Sequence, residues 1–111
     1  MGMNGPVRGA PAERMYPVTA MGAYTVNNVV DVEGFCRDNN MTPTKLLIMQ
    51  EAKPQGTQPI VSRVDFAPIG RATGEHYVTP LLIGVLHEVA VKTVYLATTT
   101  ATEVFILGLN P

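Results

Sequence analysis

The fold of this chain is decided by three apolar runs in its C-terminal third: EHYVTPLLIGVL (Glu75 to Leu86), EVAVKTVYLA (Glu88 to Ala97) and TEVFILGL (Thr102 to Leu109). All three are rich in Val, Thr and aromatic residues, which favour β-strands. A helix over Pro80 to Ala97, capped by Thr79, is the competing interpretation. Gly84 and the many β-branched side chains weaken that helix, so the sequence predicts strands. The polar TTTA between the last two runs has the length of a hairpin connection.

Further strands are predicted towards the N-terminus. The run AYTVNNVVDVEGF (Ala23 to Phe35) alternates between apolar and polar residues, as a half-buried strand does. QPIVSRVDFAPIG (Gln58 to Gly70) indicates another strand, with a proline near each end. The apolar run Lys45 to Gln50 fits a strand, and the stretch 43–52 also fits a short helix. The sequence therefore predicts an all-β fold of about six strands, an antiparallel β-sandwich or a small barrel.

The first twenty residues differ from the rest in their glycine and proline content. The residues concerned are Gly2, Gly5, Pro6, Gly9, Pro11 and Pro17. Glycine and proline at this spacing interrupt both helices and paired strands. The sequence therefore predicts an extended or flexible N-terminal arm over residues 1–20 and a single β domain over residues 21–111.

Charged residues are scarce in this chain. Asp, Glu, Lys and Arg make up 15% of its 111 residues, whereas an average domain has about 25%. A small domain with so few charges exposes uncharged polar and apolar atoms, which favours packing against a neighbour. We do not expect a nucleic-acid partner, because the net charge is −1 and the basic residues are scattered along the chain.

No targeting or membrane-spanning segment is predicted. The N-terminus lacks the apolar core of a secretory signal peptide. The most apolar stretch, Tyr77 to Ala97, is interrupted by His87, Glu88 and Lys92, so it does not fit a membrane span. We therefore expect no secretion through a signal peptide and no contact with a membrane.

Few residues of this sequence suggest a catalytic or metal-binding role. Cys36 would need an activating neighbour to act as a nucleophile, and both histidines, His76 and His87, lie at least forty positions away. The histidines and acidic residues such as Asp31 lack the spacing of a metal site. We therefore expect no enzyme activity, no metal and no cofactor.

A DNA-binding helix-turn-helix over residues 31–53 is the alternative hypothesis. Asp31 would cap its first helix, and Thr42 with Pro43 would begin its second. The capping residues suit this interpretation, but the second helix would carry four consecutive apolar residues, Leu46 to Met49. A recognition helix instead presents polar and basic side chains to the bases.

The main hypothesis is a non-enzymatic assembly protein that self-associates and docks on a larger assembly through its arm and β edges. The run TEVFILGL must pair either within its own sheet or with another chain. The predicted interaction residues are Arg8, Arg14 and Tyr16 in the arm and Val104, Phe105 and Ile106 in the last strand.

In its size, its arm GPVRGAPAERMYP (Gly5 to Pro17) and its β pattern, the chain resembles the small all-β decoration, cement or connector proteins of tailed-phage virions. The resemblance implies a homo-oligomer such as a trimer, bound to a capsid or neck. It also implies a location in the virion or in the cytoplasm of the host cell. It carries no residue roles over to this chain.

Overall fold

Two antiparallel sheets form the fold in the computed structural model, which describes residues 12–49, 61–72 and 74–110. The described strands are β1 (Ala12–Pro17), β2 (Thr25–Val26), β3 (Val29–Asp31), β4 (Thr42–Met49), β5 (Val61–Pro68), β6 (Tyr77–Leu82), β7 (Leu86–His87), β8 (Val91–Tyr95) and β9 (Glu103–Asn110). One α-helix, α1 (Val32–Asp38), and two 3-10 helices, Val18–Tyr24 and Leu96–Thr98, accompany them. The predicted all-β fold is confirmed, in its sandwich form.

The sandwich consists of a four-stranded sheet in the order β1-β9-β4-β7 and a five-stranded sheet in the order β2-β3-β8-β5-β6. Their inner faces share one hydrophobic core. The four-stranded sheet contributes Leu46, Ile48, Val104 and Ile106, and the five-stranded sheet contributes Val30, Val64, Phe66, Val91 and Val94. Helix α1 and the first 3-10 helix close the same core with Phe35, Cys36 and Met21.

The predicted single strand over Ala23 to Phe35 is wrong, because the chain reverses in its middle. Asn27 and Asn28 both have positive φ and connect β2 to β3. Two left-handed residues in a two-residue loop match the twist of a tight hairpin, and asparagine adopts this conformation more readily than most residues. The strand pattern then ends at Asp31, where α1 begins.

Helix α1 starts with a side-chain cap. The Asp31 carboxylate accepts a hydrogen bond from the Gly34 backbone N–H at 3.0 Å. A Cβ at Gly34 would lie 2.3 Å from Asp31 Oδ2, so a larger residue there would force the capping carboxylate to move. The helix ends at Asp38. Asn40 then has a positive φ, which allows the Met41 N–H to donate to the Cys36 carbonyl at 2.9 Å.

The second helix of the proposed helix-turn-helix is a strand in the structure. Thr42 to Met49 form β4, which pairs with β9 along its whole length and with β7 at Leu46 and Leu47. The helix considered for 43–52 is thus corrected to strand as far as Met49, and residues 50–52 lie outside the described part. Buried Leu46 and Ile48 alternate with Lys45 and Leu47 because a strand, unlike a helix, sends successive side chains to opposite faces.

The last strand lies inside the four-stranded sheet, between β1 and β4. The TTTA connection is therefore not a hairpin, because β8 and β9 belong to different sheets. Part of the predicted arm over residues 1–20 belongs to this sheet. Residues 12–17 form β1, paired from Ala12 to Asn110 through Pro17 to Phe105, and Val18 belongs to the core. Residues 1–11 of the predicted arm lie outside the described residues.

Candidate functional site

The outer face of the four-stranded sheet is apolar. We call this surface the apolar face, and its residues are Met15, Pro17, Leu47, Met49, Leu86, Phe105, Leu107 and Leu109. Strand parity places them opposite the core residues, and none of them belongs to the core cluster. Met15 is 52% exposed and Leu86 is 49% exposed, and Met49 and Leu109 are also exposed. Nothing among the described residues covers this face as a layer.

Register arranges the apolar face in rows that cross the strands. A central row runs through all four strands, with Pro17 opposite Phe105, Phe105 opposite Leu47 and Leu47 opposite Leu86. On one side of it, Met15, Leu107 and Lys45 form a second row. On the other side, Glu103 lies opposite Met49. The face thus has an apolar centre, with Lys45 in one flanking row and Glu103 in the other, and Glu13 lies beyond the Lys45 row, opposite Leu109.

An ion pair crosses the middle of this sheet. Glu13 on β1 accepts hydrogen bonds from the Lys45 ammonium and the Thr44 hydroxyl of β4, and β9 lies between these two strands. The contact lowers the pKa of Glu13 and raises the pKa of Lys45. Both groups therefore stay charged near neutral pH. Leu107 beneath them is buried although it faces away from the core.

The free edges of the two sheets are poorly suited to strand addition. Edge strands β2 and β7 have two residues each. The longer edge β1 carries Glu13 and Arg14, and the longer edge β6 carries Pro80, which removes a backbone donor. Charges, prolines and short strands are common means of protecting sheet edges. The described surface therefore offers the apolar face, more than its edges, as an interaction site.

The structure places the predicted interaction residues in different environments. Val104 and Ile106 lie in the core and Phe105 is half-buried on the apolar face, so the last strand has no free edge to offer. Of the two alternatives for this strand, the structure shows pairing within its own sheet. Arg14 is exposed on β1 and donates to the Tyr16 hydroxyl at 3.4 Å, while Tyr16 packs against the core. Arg8 lies outside the described residues.

A polar cluster occupies the outer face of the five-stranded sheet. Asp65 of β5 is 2% exposed, and its carboxylate lies 2.7 Å from His76 Nδ1 and accepts a hydrogen bond from the Thr98 hydroxyl. The imidazole stacks on the Tyr95 ring with centroids 3.7 Å apart. Thr99 accepts from the Asp65 N–H at 2.9 Å. The cluster satisfies a buried carboxylate and fixes the segment before β6 against the sheet. Sequence reasoning weighed His76 but not Asp65, because their spacing in the chain gives no signal.

Cys36 is unsuited to act as a nucleophile. Its side chain is fully buried in α1, and burial raises the pKa of the thiol to about 11. The thiolate fraction near neutral pH is correspondingly very small.

We expect native Cys36 to resist a thiol reagent at pH 8 and to react rapidly once the chain is unfolded in guanidinium chloride. The measurement is the absorbance released by a disulfide-exchange reagent, with free cysteine as the control. Fast reaction of the native protein would show that the thiol is accessible.

A shallow cleft of about 460 Å³ adjoins the end of α1. It is lined by Glu33, Arg37, Asn40, Met41, Thr42, Pro43 and Ile69. Its polar lining residues are exposed or half-buried, so it offers no desolvated polar group that would select a ligand.

No protein-family model, curated protein or solved structure matches this chain significantly. Within residues 12–49, 61–72 and 74–110, no three His, Cys, Asp or Glu side chains are grouped as a metal site would require. No helix in that same part of the chain has the length and apolar character needed to cross a membrane.

Proposed function

We propose that this protein is a non-enzymatic assembly protein that self-associates through the apolar face and docks, as a building unit, on a larger protein assembly. The observation that carries the proposal is the apolar row across all four strands of one sheet, from Pro17 to Leu86, with no layer of described residues over it. A sheet normally buries one face and exposes a polar one. A sheet that is apolar on both faces needs a layer over its outer face as well as over its inner one.

The chemistry of the rest of the described surface supports the same proposal. The buried carboxylate of Asp65 is already satisfied by His76 and Thr98, and Cys36 is a buried, protonated thiol. These groups stabilise the fold. Exposed apolar side chains also occur on the edge strand β6, at Tyr77, Val78 and Leu82, but only the apolar face carries a row across a whole sheet among the described residues. A virion shell is the larger assembly that the resemblance in size and β pattern favours.

Charge introduced on the apolar face is expected to abolish self-association. In Met15→Lys and Leu86→Lys, an ammonium would have to lose its water at the interface, so we expect a dissociation constant at least about tenfold higher. Sedimentation velocity over a wide concentration range measures the effect. Both sites are about half exposed, so the variants should fold, as circular dichroism would verify.

The matched control is Val26→Lys. Val26 is 70% exposed on the β2–β3 hairpin of the other sheet, so this variant adds the same charge away from the apolar face. We expect it to associate like the wild type. A wild-type protein that remains monomeric at its highest soluble concentration overturns the proposal, as does equal weakening by all three variants.

A further inference from the structure

The two charged rows of the apolar face are arranged symmetrically about its centre. Lys45 lies in the row on one side of the central Phe105–Leu47 row, and Glu103 lies in the row on the other side. They occupy neighbouring strands, β4 and β9. Glu103 forms no ion pair with any of the described residues, and Lys45 uses one of its three ammonium donors on Glu13.

A two-fold axis along the central row would exchange the two flanking rows. Each strand of one copy would then face the same strand of the other, with the row of Lys45 opposite the row of Glu103. Lys45 would face Met49 of the second copy, and Glu103 would lie one strand further, about 4.8 Å away. A lysine side chain spans that distance. Opposite charges would therefore meet at two symmetric positions, and Phe105, Leu47 and Leu86 would pack between them.

We propose that the apolar face binds the apolar face of a second copy, sheet on sheet, about this two-fold axis, with Lys45 of each copy paired to Glu103 of the other. This inference rests on the proposed function and specifies its partner and geometry. Stacked sheets pack about 10 Å apart, and in aligned packing their strand directions differ by about 30°. An isologous interface of this kind is the commonest in homo-oligomers.

The small area of the apolar face limits the affinity of the dimer. The nine positions of these three rows, each about 4.8 Å by 6.8 Å, cover roughly 300 Å² per copy. A standard interface buries about 800 Å² per partner. The stacked pair is therefore a weak, concentration-dependent dimer, which suits a unit that gains stability from several contacts in a larger array.

Charge reversal tests the geometry. Glu103→Lys would place Lys45 against a lysine of the second copy at both positions. Lys45→Glu would place two glutamates together, and it is made in a Glu13→Gln background so that the new carboxylate meets no second one within its own copy. We expect Glu103→Lys to dimerise at least about tenfold more weakly than the wild type, and Lys45→Glu at least about tenfold more weakly than Glu13→Gln alone. An equimolar mixture of the two variants should recover dimerisation, because both contacts then join opposite charges. A chain that carries both charge reversals should recover for the same reason. Sedimentation equilibrium measures all of these samples.

The control is Glu75→Lys, which reverses an exposed charge before β6, on the other sheet. It should leave dimerisation unchanged. One outcome is that Leu86→Lys abolishes association but the equimolar mixture of the two charge-reversal variants does not recover it. The two-fold arrangement is then overturned, and the assembly function stands. If the wild type does not associate, the assembly function itself falls. Association of the wild type that none of the face variants changes would place the interface elsewhere and overturn both.

Discussion

A chain that starts at Met21 is expected to lose its cooperative fold. Removal of residues 1–20 deletes β1, which pairs with β9 at six positions, and removes Val18 from the core. It also exposes the edge of β9 and breaks the Glu13–Lys45 ion pair across the sheet. Together these losses should approach the whole stability of a small domain, about 5 kcal/mol or more. Thermal unfolding followed by circular dichroism measures the outcome.

The matched control for this truncation is a chain that starts at Ala12 and keeps the whole of β1. We expect it to unfold cooperatively. A chain from Met21 with the same melting temperature as that control would show that β1 contributes nothing to the fold. It would restore the boundary at residue 20 that the glycine and proline content predicts.

The second large loss of stability is expected when His76 is replaced. In His76→Ala, Asp65 loses its 2.7 Å contact while its carboxylate stays largely buried, and Tyr95 loses its stacked ring. Loss of a hydrogen bond to a charged group and of an aromatic contact should lower the free energy of unfolding by about 1–3 kcal/mol. The imidazole is 35% exposed, so water can enter after truncation and keep the cost within that range.

The control for His76 is the other histidine. Among the described residues, the His87 side chain forms one hydrogen bond, from Nε2 to the Leu82 carbonyl at 2.9 Å, and none to a carboxylate. His87→Ala should therefore cost less than about 1 kcal/mol. Urea unfolding of both variants measures the difference. Equal losses would mean that the Asp65 cluster contributes no more than an ordinary surface contact.

The long strands were predictable from sequence, and the short elements were not. In the C-terminal third, Val, Thr and aromatic residues outweighed the helical spacing, and the strands β6, β8 and β9 confirm that prediction. Between Ala23 and Phe35, the alternation concealed a reversal at Asn27 and Asn28. That turn was detectable, since two consecutive asparagines favour a tight hairpin. Helix α1 has seven residues, too few to show a clear helical period.

The sequence of β9 contains a signal for the apolar face. In TEVFILGL, apolar residues occupy both parities of the strand, which is typical of a strand covered on both faces. The sequence left open whether this strand pairs within its own sheet or with another chain. Whether a strand lies at an edge or in the centre depends on long-range pairing. In this fold, β1 occupies the side of β9 that would otherwise be free.

The central position of β9 also determines the order in which this protein can fold. Strand β1 has no strand partner among the described residues except β9, and their register joins Ala12 to Asn110. On the ribosome, β1 is synthesised first and must wait unpaired until almost the whole of this sequence has emerged. Closing so long a loop costs entropy before any pairing stabilises it, which slows folding. During that delay the apolar side chains of β4 are exposed to neighbouring chains, so rapid synthesis at high concentration favours aggregation over the native sheet.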